Sequence, residues 1–308
     1  PMKHKRVFAA FLLIALLGPL TASAQVKKQE VVYARLSPSG DIQGLYIVND
    51  FEADEAAQVE DFGRYAAVEN LSGLEELPYG EEQVSFSMPK GRFRYQGNPE
   101  WNALPWQISL SYLLDGQPAQ PEALSGAEGK LEMTLKVALN PAYKQYAANL
   151  ALQMTMTLDG DKCLNIQSGK ATIAAAGGTY TLAFVVLPGA ETAFTITADV
   201  QDFSMADLQI AGVRMAMDAD MYKQYAEGML AGSPLQAAAG NMMDSFLNQP
   251  QKNPVSFADE RNGEISALQF VMMMEGVPAK PMVKEVTQQV QAQDQNVLTR
   301  LLNLFTGK

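Results

Sequence analysis

Between residues 106 and 200 apolar and polar side chains alternate with a period of two. Trp106, Ile108, Leu110, Tyr112 and Leu114 fall on one face, with Gln107, Ser109 and Ser111 on the other. Leu131, Met133, Leu135, Val137 and Leu139 repeat the pattern against Glu132, Thr134 and Lys136. Three more runs follow: Leu152, Met154, Met156 and Leu158; Tyr180, Leu182, Phe184 and Val186; and Phe194, Ile196, Ala198 and Val200. A period of two sustained over such lengths predicts half-buried strands, because successive side chains of a strand point to opposite sides of the sheet. The separators Asp115-Gly116, Asp159-Gly160, Gly177-Gly178 and Pro188-Gly189 have turn chemistry. Several short strands with one wet face predict an antiparallel sandwich with Ig-like patterning, placed at 101–218.

Residues 25–100 read as a further β domain. Val31–Leu36 and Gly44–Phe51 flank a turn at Pro38-Ser39-Gly40-Asp41, and Val84–Met88 and Arg92–Tyr95 flank Pro89-Lys90-Gly91 as a second hairpin. The acidic stretch 52–82 fits short strands or a helix. The pattern changes after Asp218: 219–251 is rich in Ala, Met and Gln, with Tyr222, Tyr225, Met229 and Leu230 at helical spacing. Strand character returns at Val255–Phe257 and Ile265–Val277, with a turn at Asn262-Gly263. Phe270–Met274 is apolar at every position, so its strand is expected in the middle of a sheet. A hairpin alone is not stable in water. The 265–277 strand is therefore expected to pair with the 208–218 strand, which makes the helical stretch an insertion between neighbouring strands. The expected domain then comprises 101–218 plus 252–278.

The tail 279–308 is introduced by Pro278, Lys280 and Pro281 and ends in an amphipathic pattern. On a helix, Val297, Leu298, Leu301, Leu302, Leu304 and Phe305 would share one face about 160° wide at roughly 100° per residue. Val297, Leu298, Leu301, Leu302 and Phe305 are the candidates for contact with a partner. A helix docked on the protein's own β domain accounts for the same pattern, and a membrane surface is the third reading. YKQYA occurs at 143–147 and 222–226, in surroundings too different to mark a domain repeat.

The ends and the charge narrow the setting. Lys3-His4-Lys5-Arg6, the apolar run Val7–Leu17 and Ala22-Ser23-Ala24 have the three parts of a secretory signal, expected to be cleaved before Gln25. No later stretch has the ~20 apolar residues of a spanning helix. Of the 23 basic residues three lie in the signal, which leaves 20 against 34 acidic. So acidic a surface repels phosphate backbones and anionic lipid, so no nucleic-acid partner is expected. Cys163 is the sole cysteine and cannot form an intramolecular bridge.

Candidate chemistry is sparse. The one histidine, His4, leaves with the signal, which removes His-based triads, histidine general bases and almost every zinc or copper site. No phosphate-binding glycine loop or GxSxG elbow is present. What remains is paired carboxylates, Ser-Lys arrangements or a hard cation held by oxygen. Asp159 and Asp161 are the metal candidates, as half of a calcium loop. A hairpin turn is the favoured reading of Asp159-Gly160, since no bidentate Glu follows at the required spacing. Asp199, Asp202 and Asp207, and Asp218 with Asp220, are further acidic clusters that solvated strand ends explain as well. No catalytic residue and no cofactor is expected. Trp101 and Trp106 are the only tryptophans available as a glycan platform.

Several segments resemble a known group: VVYARLSPSGDIQGLYIVNDF (31–51), GRFRYQG (91–97), LPWQISLSYLLDG (104–116), DKCLNIQSGKATIAAAG (161–177), LPGAETAFTITADVQDFSM (187–205), ISALQFVMMMEG (265–276) and LTRLLNLF (298–305). They are similar to secreted or envelope proteins of Gram-positive bacteria with X-X-X-Leu-X-X-Gly heptad repeats, related to the phage-infection-protein (Pip/YhgE-like) group. The heptad array is absent here: Gly228, Gly232 and Gly240 are not seven apart. The resemblance implies an extracytoplasmic envelope location and association with a membrane transport or export protein. It implies no catalytic residue.

The expectation is thus a mainly β protein: two β domains, a helical insertion at 219–251 and a C-terminal amphipathic helix. It would act as an exported, non-enzymatic adaptor or scaffold. The alternative is a cell-wall or carbohydrate-binding module with calcium as a candidate ligand. Oligomeric state cannot be read from the sequence.

Overall fold

A computed structural model of the chain describes residues 25–214 and 253–280. The signal segment 1–24, the expected helical insertion at 219–251, and the tail with Val297, Leu298, Leu301, Leu302 and Phe305 lie outside the described residues. What is described is mainly β.

The N-terminal strands are β1 (Val26–Leu36), β2 (Ile42–Ala53), β3 (Ala57–Phe62), β4 (Tyr65–Asn70), β5 (Tyr79–Gly80), β6 (Gln83–Met88) and β7 (Gly91–Pro99). The acidic stretch therefore forms strands. There follow β8 (Trp106–Leu114), β9 (Gln117–Ala119), β10 (Gly129–Leu139), the single-turn helix α1 (Lys144–Ala147), β11 (Leu150–Asp159) and β12 (Cys163–Ser168). The remainder are β13 (Thr172–Ala176), β14 (Thr179–Val186), β15 (Thr192–Val200), β16 (Leu208–Arg214) and β17 (Ala267–Met274).

They build three sheets. A nine-stranded sheet has the order β13-β14-β11-β16-β17-β1-β2-β7-β4, a five-stranded sheet β12-β15-β10-β8-β9, and a three-stranded sheet β3-β6-β5. Within the large sheet β1 and β17 run parallel, Val32 opposite Phe270. The large sheet draws strands from both sides of residue 100 and is continuous across it.

Both smaller sheets cover one face of the large one. Trp106 of β8 meets Phe270 of β17 edge-on, centroids 5.2 Å apart, and Phe194 of β15 lies 5.0 Å from Phe184 of β14. Further along, Phe86 of β6 meets Phe51 of β2 at 5.3 Å and Tyr95 of β7 at 6.2 Å. The alternating positions supply this core: Ile108, Leu135, Leu152, Met154, Phe184, Ile196 and Met272 are all buried. Burying such side chains is the main favourable contribution to folding.

Local chemistry sets the turns. Asp115-Gly116 and Gly177-Gly178 make two-residue hairpins, both residues of each at positive φ, as the twist of the flanking strands requires. Gly40 has φ +101°, and a Cβ there would lie 1.9 Å from the Ile108 carbonyl oxygen. The β1–β2 turn therefore rests directly on the backbone of β8.

Strand pairing departs from the sequence expectation at three connections. Asp159-Gly160 is not a hairpin: β11 pairs with β14 and β16, while β12 belongs to the five-stranded sheet. Pro188-Gly189 likewise carries the chain between sheets. Pro89-Lys90 does not close a hairpin either, since β6 pairs with β3 and β7 with β2 and β4. At that corner Phe86 and Phe93 stack at 4.2 Å, so apolar contact between layers replaces the ladder. The pairing expected for the 265–277 strand is present: β17 runs antiparallel to β16, Leu208 opposite Met274 and Gly212 opposite Phe270.

Candidate functional site: an apolar outer face and a buried ionic clasp

The middle of the nine-stranded sheet carries apolar side chains on its outer side as well as its inner one, with Gln209, Gln269 and Arg35 among them in register. In β17, Leu268, Phe270, Met272 and Met274 point into the core, so alternation sends Val271 and Met273 outward, each 42% exposed. The register extends this outer face across four strands. Ala211 of β16, Val271 of β17, Tyr33 of β1 and Tyr46 of β2 form one row. Val31 and Val48 form the next. The Tyr33 and Tyr46 rings stack at 4.8 Å with an 11° interplanar angle. Ion pairs stand at the rim: Arg35 with Glu275 and Arg94 with Asp50, each at 2.9 Å. An apolar surface with a charged rim is the usual anatomy of a protein-contact surface.

On the opposite face of the same strands the alternation buries charge. Lys28 and Glu30 face inward from β1, where Asp61 of β3 joins them. Lys28 Nζ lies 2.6 Å from Asp61 Oδ1 and 2.9 Å from Glu30 Oε1. Glu30 also accepts from the Ser256 hydroxyl and from the amides of Phe257 (2.7 Å) and Ala258 (3.3 Å). Tyr95 donates to Asp61, and Asn49 to Tyr65 at 3.1 Å. Asn262 exchanges two 2.8 Å bonds with the Phe62 backbone. Segment 256–262 is thereby fastened to β1 and to the three-stranded sheet.

The electrostatics follow from one ammonium between two carboxylates. Burial opposes charge on Lys28, but Glu30 and Asp61 outweigh it and raise the lysine pKa above its ordinary value. Burial also raises the Asp61 carboxyl above the usual range, against the pull of Lys28. Burial first, then Tyr65 and Asp61 beside it, puts the Tyr95 phenol well above its ordinary value. Ser256 is fully buried with its hydroxyl given to Glu30. Ser256, Lys28, Glu30 and Asp61 thus form one buried clasp joining β1, β3 and segment 256–262.

The metal candidates take another role. Asp159 Oδ1 accepts from the Asp161 amide at 2.9 Å, an Asx turn that shapes the crossing between sheets. Among the described residues no group of three or more His, Cys, Asp or Glu is placed to hold a metal ion. Asp199 accepts from Asn165 at 2.7 Å, Asp202 from Lys162 at 2.9 Å and Asp207 from the Gly276 amide at 3.0 Å, so the three acids serve separate contacts. Asp218 and Asp220 lie outside the described residues. Cys163 is buried, which pushes its thiol up to about 11. Trp106 is core, whereas half-buried Trp101 stacks on Tyr143 at 5.8 Å and meets Phe257 at 5.0 Å.

Reading the sequence missed the apolar outer face and the ionic clasp. The signal for the first was legible in Val271, Met273, Val31, Tyr33, Tyr46 and Val48, all apolar at outward positions. For the second it was Lys28 and Glu30 at the inward phase of β1.

No protein-family model and no curated protein matches the chain. Solved structures that match include the yeast delta-COP-I mu-homology domain, 10% identical with a TM-score of 0.35, over 82% of this chain and 96% of that one. The same domain complexed with a Dsl1 WxWxV peptide matches at 10% identity and a TM-score of 0.35, over 84% and 98%. At these scores the likeness carries no argument about this protein. No helix among the described residues is long and apolar enough to cross a membrane.

Proposed function

We propose that the protein is an exported, non-enzymatic adaptor or scaffold of the cell envelope that contacts a membrane transport or export protein. The observation that carries this reading is the outer face of the nine-stranded sheet, where Val271, Met273 and Tyr46 are exposed in one apolar tract. The signal-like N-terminus supplies the compartment, and the acidic balance argues against nucleic acid and lipid as targets. The test is recovery from detergent-solubilised native envelope with the full chain as bait, beside the variant Val271→Asp/Met273→Asp. The reading expects a membrane transport or export protein recovered by the wild type and lost with the variant. Equal recovery by both, or none by either, would remove it.

A second reading, a cell-wall glycan module, is favoured by the Trp101–Tyr143 stack, because sugar rings pack on such aromatic faces. Calorimetry with purified wall polysaccharide, with and without EDTA, tests it. Binding that Trp101→Ala abolishes would favour the glycan module, and no heat in either condition would exclude it.

A further inference from the structure

Each of the three sheets ends in two edge strands, and the outer N–H and C=O groups of an edge are a template for pairing with another chain. Five of these six edges carry a feature that blocks such pairing. β4 has a register shift between Tyr65 and Ala67 and carries Glu69. β12 has a shift between Leu164 and Gln167, with Asn165 at positive φ. β9 is three residues long with Pro118 at its centre, and β5 is two residues long. β3 carries Glu60 and Asp61, and Asn262 already occupies the Phe62 backbone.

The sixth edge, β13, has none of these. Thr172–Ala176 holds no charge and no proline, and its five residues are all exposed. Its register with β14 is unbroken, from Thr172 opposite Ala183 to Ala176 opposite Thr179. β14 is its only strand neighbour among the described residues. The two-residue turn at Gly177-Gly178 makes Ala176 and Thr179 a hydrogen-bonded pair, and such pairs alternate along an antiparallel ladder. Thr172, Ala174 and Ala176 therefore bond β14, while Ile173 and Ala175 direct their N–H and C=O groups to the open side. The same two residues stand opposite Leu182 and Tyr180, on the core side of the sheet. Leu182 is buried and Ile173 is 37% exposed, so the apolar layer runs on to this edge and stops there uncovered.

We infer that β13 accepts an extended segment of a partner protein as a further strand of the large sheet, the segment being neutral or basic with apolar side chains at alternate positions. Its main chain bonds Ile173 and Ala175, and its apolar side chains continue the layer beyond Ile173, with room for a large one beside Ala175. A second copy of this chain is the poorer occupant for two reasons. Two five-residue edges alone fall well short of the ~1,200 Å² that a stable specific interface buries. Two bodies that each carry 23 basic and 34 acidic residues also repel, whereas a neutral or basic segment does not meet that repulsion. The inference rests on the adaptor reading only for the source of the segment.

The test uses the full chain and a fluorescein-labelled peptide of alternating valine and threonine with lysines at both ends, followed by anisotropy. The same peptide with a central proline is the control. The expected result is saturable binding of the first and none of the second. Ala175→Pro removes one outward N–H and leaves the β14 bonds, so it should keep the wild-type Tm and weaken binding at least about tenfold. Ile173→Lys keeps every backbone group but puts a charge on the apolar layer, and should weaken binding as well. In amide exchange by NMR, Ile173 and Ala175 should exchange fast in the free chain and at least about tenfold more slowly with peptide, with Ala174 slow in both. No binding, binding unchanged in both variants, slow exchange at Ile173 and Ala175 in the free chain, or dimers lost on Ala175→Pro would overturn the inference. The two claims fail separately. Edge-dependent peptide binding with no membrane protein recovered from envelope removes only the adaptor reading. A recovered membrane protein with no edge-dependent peptide binding removes only the strand-accepting edge.

Discussion

Replacing Lys28 by methionine keeps the side-chain length and removes the one cation of the buried clasp. Glu30 and Asp61, 0% and 2% exposed, then share a site without a countercharge. Glu30 keeps Ser256 and two amides, and Asp61 keeps Tyr95, so hydrogen bonding survives while the ion pairs at 2.9 and 2.6 Å do not. Removing one partner of a buried ionic group costs about 3–5 kcal/mol. At ~2–4 °C per kcal/mol for a chain of this size, Lys28→Met should lower Tm by about 10 °C at pH 7. The loss should shrink in acid. The Asp61 pKa is raised by folding, so the folded state binds that proton more tightly than the unfolded one. Its stabilising contribution is therefore present below the ordinary carboxylate value and is lost as pH climbs through the raised one. Without the pull of Lys28, the Asp61 pKa moves higher still. The deficit relative to wild type is then largest near pH 7 and smaller near pH 4. Thermal unfolding followed by circular dichroism from pH 4 to 8 checks both the size and the slope. An unchanged Tm at pH 7, or a deficit equal at every pH, would refute the reasoning.

Other consequences follow from single contacts. Gly40→Ala should destabilise by about 3–5 kcal/mol, from positive φ and the Ile108 carbonyl in its path, whereas Gly44→Ala, with nothing within 4 Å, should change little; urea unfolding separates them. The Tyr112 hydroxyl is buried without a hydrogen-bond partner among the described residues, so Tyr112→Phe should stabilise by about 1 kcal/mol in the same assay. Cys163, buried with a thiol pushed up to about 11, should resist thiol reagents at pH 8 until denaturant is added; rapid labelling of the native protein would contradict its placement.

Strand positions and inward faces were legible because a half-buried strand writes a period of two into its side chains. Trp106, Ile108, Leu110 and Tyr112 are each 4% exposed, as their alternation requires. The β16–β17 pairing was legible too, because an apolar strand needs neighbours on both edges. Which strand faces which was less so. A tight turn between two alternating runs looks alike whether the chain returns beside itself or crosses to the facing sheet. Asp159-Gly160 and Pro89-Lys90-Gly91 take the second course, and only long-range packing such as Phe86 on Phe51 decides it. The β1–β17 pairing joins residues more than 200 positions apart and leaves no local signal. The clasp was hidden because Lys28 and Glu30 read as solvated charge near the end of a strand. Their burial depends on Asp61 and Ser256, which the topology brings in from remote segments.

The most direct test of the account is the affinity of the recovered membrane partner for the purified full chain, wild type against Val271→Asp/Met273→Asp. Val271 and Met273 are each 42% exposed. Covering what remains is worth about 3 kcal/mol for the two together at ~25 cal/mol per Å². The account predicts that the variant, folded to the same Tm, binds about a hundredfold more weakly. Affinity within twofold of wild type would contradict the assignment of this face as the contact surface.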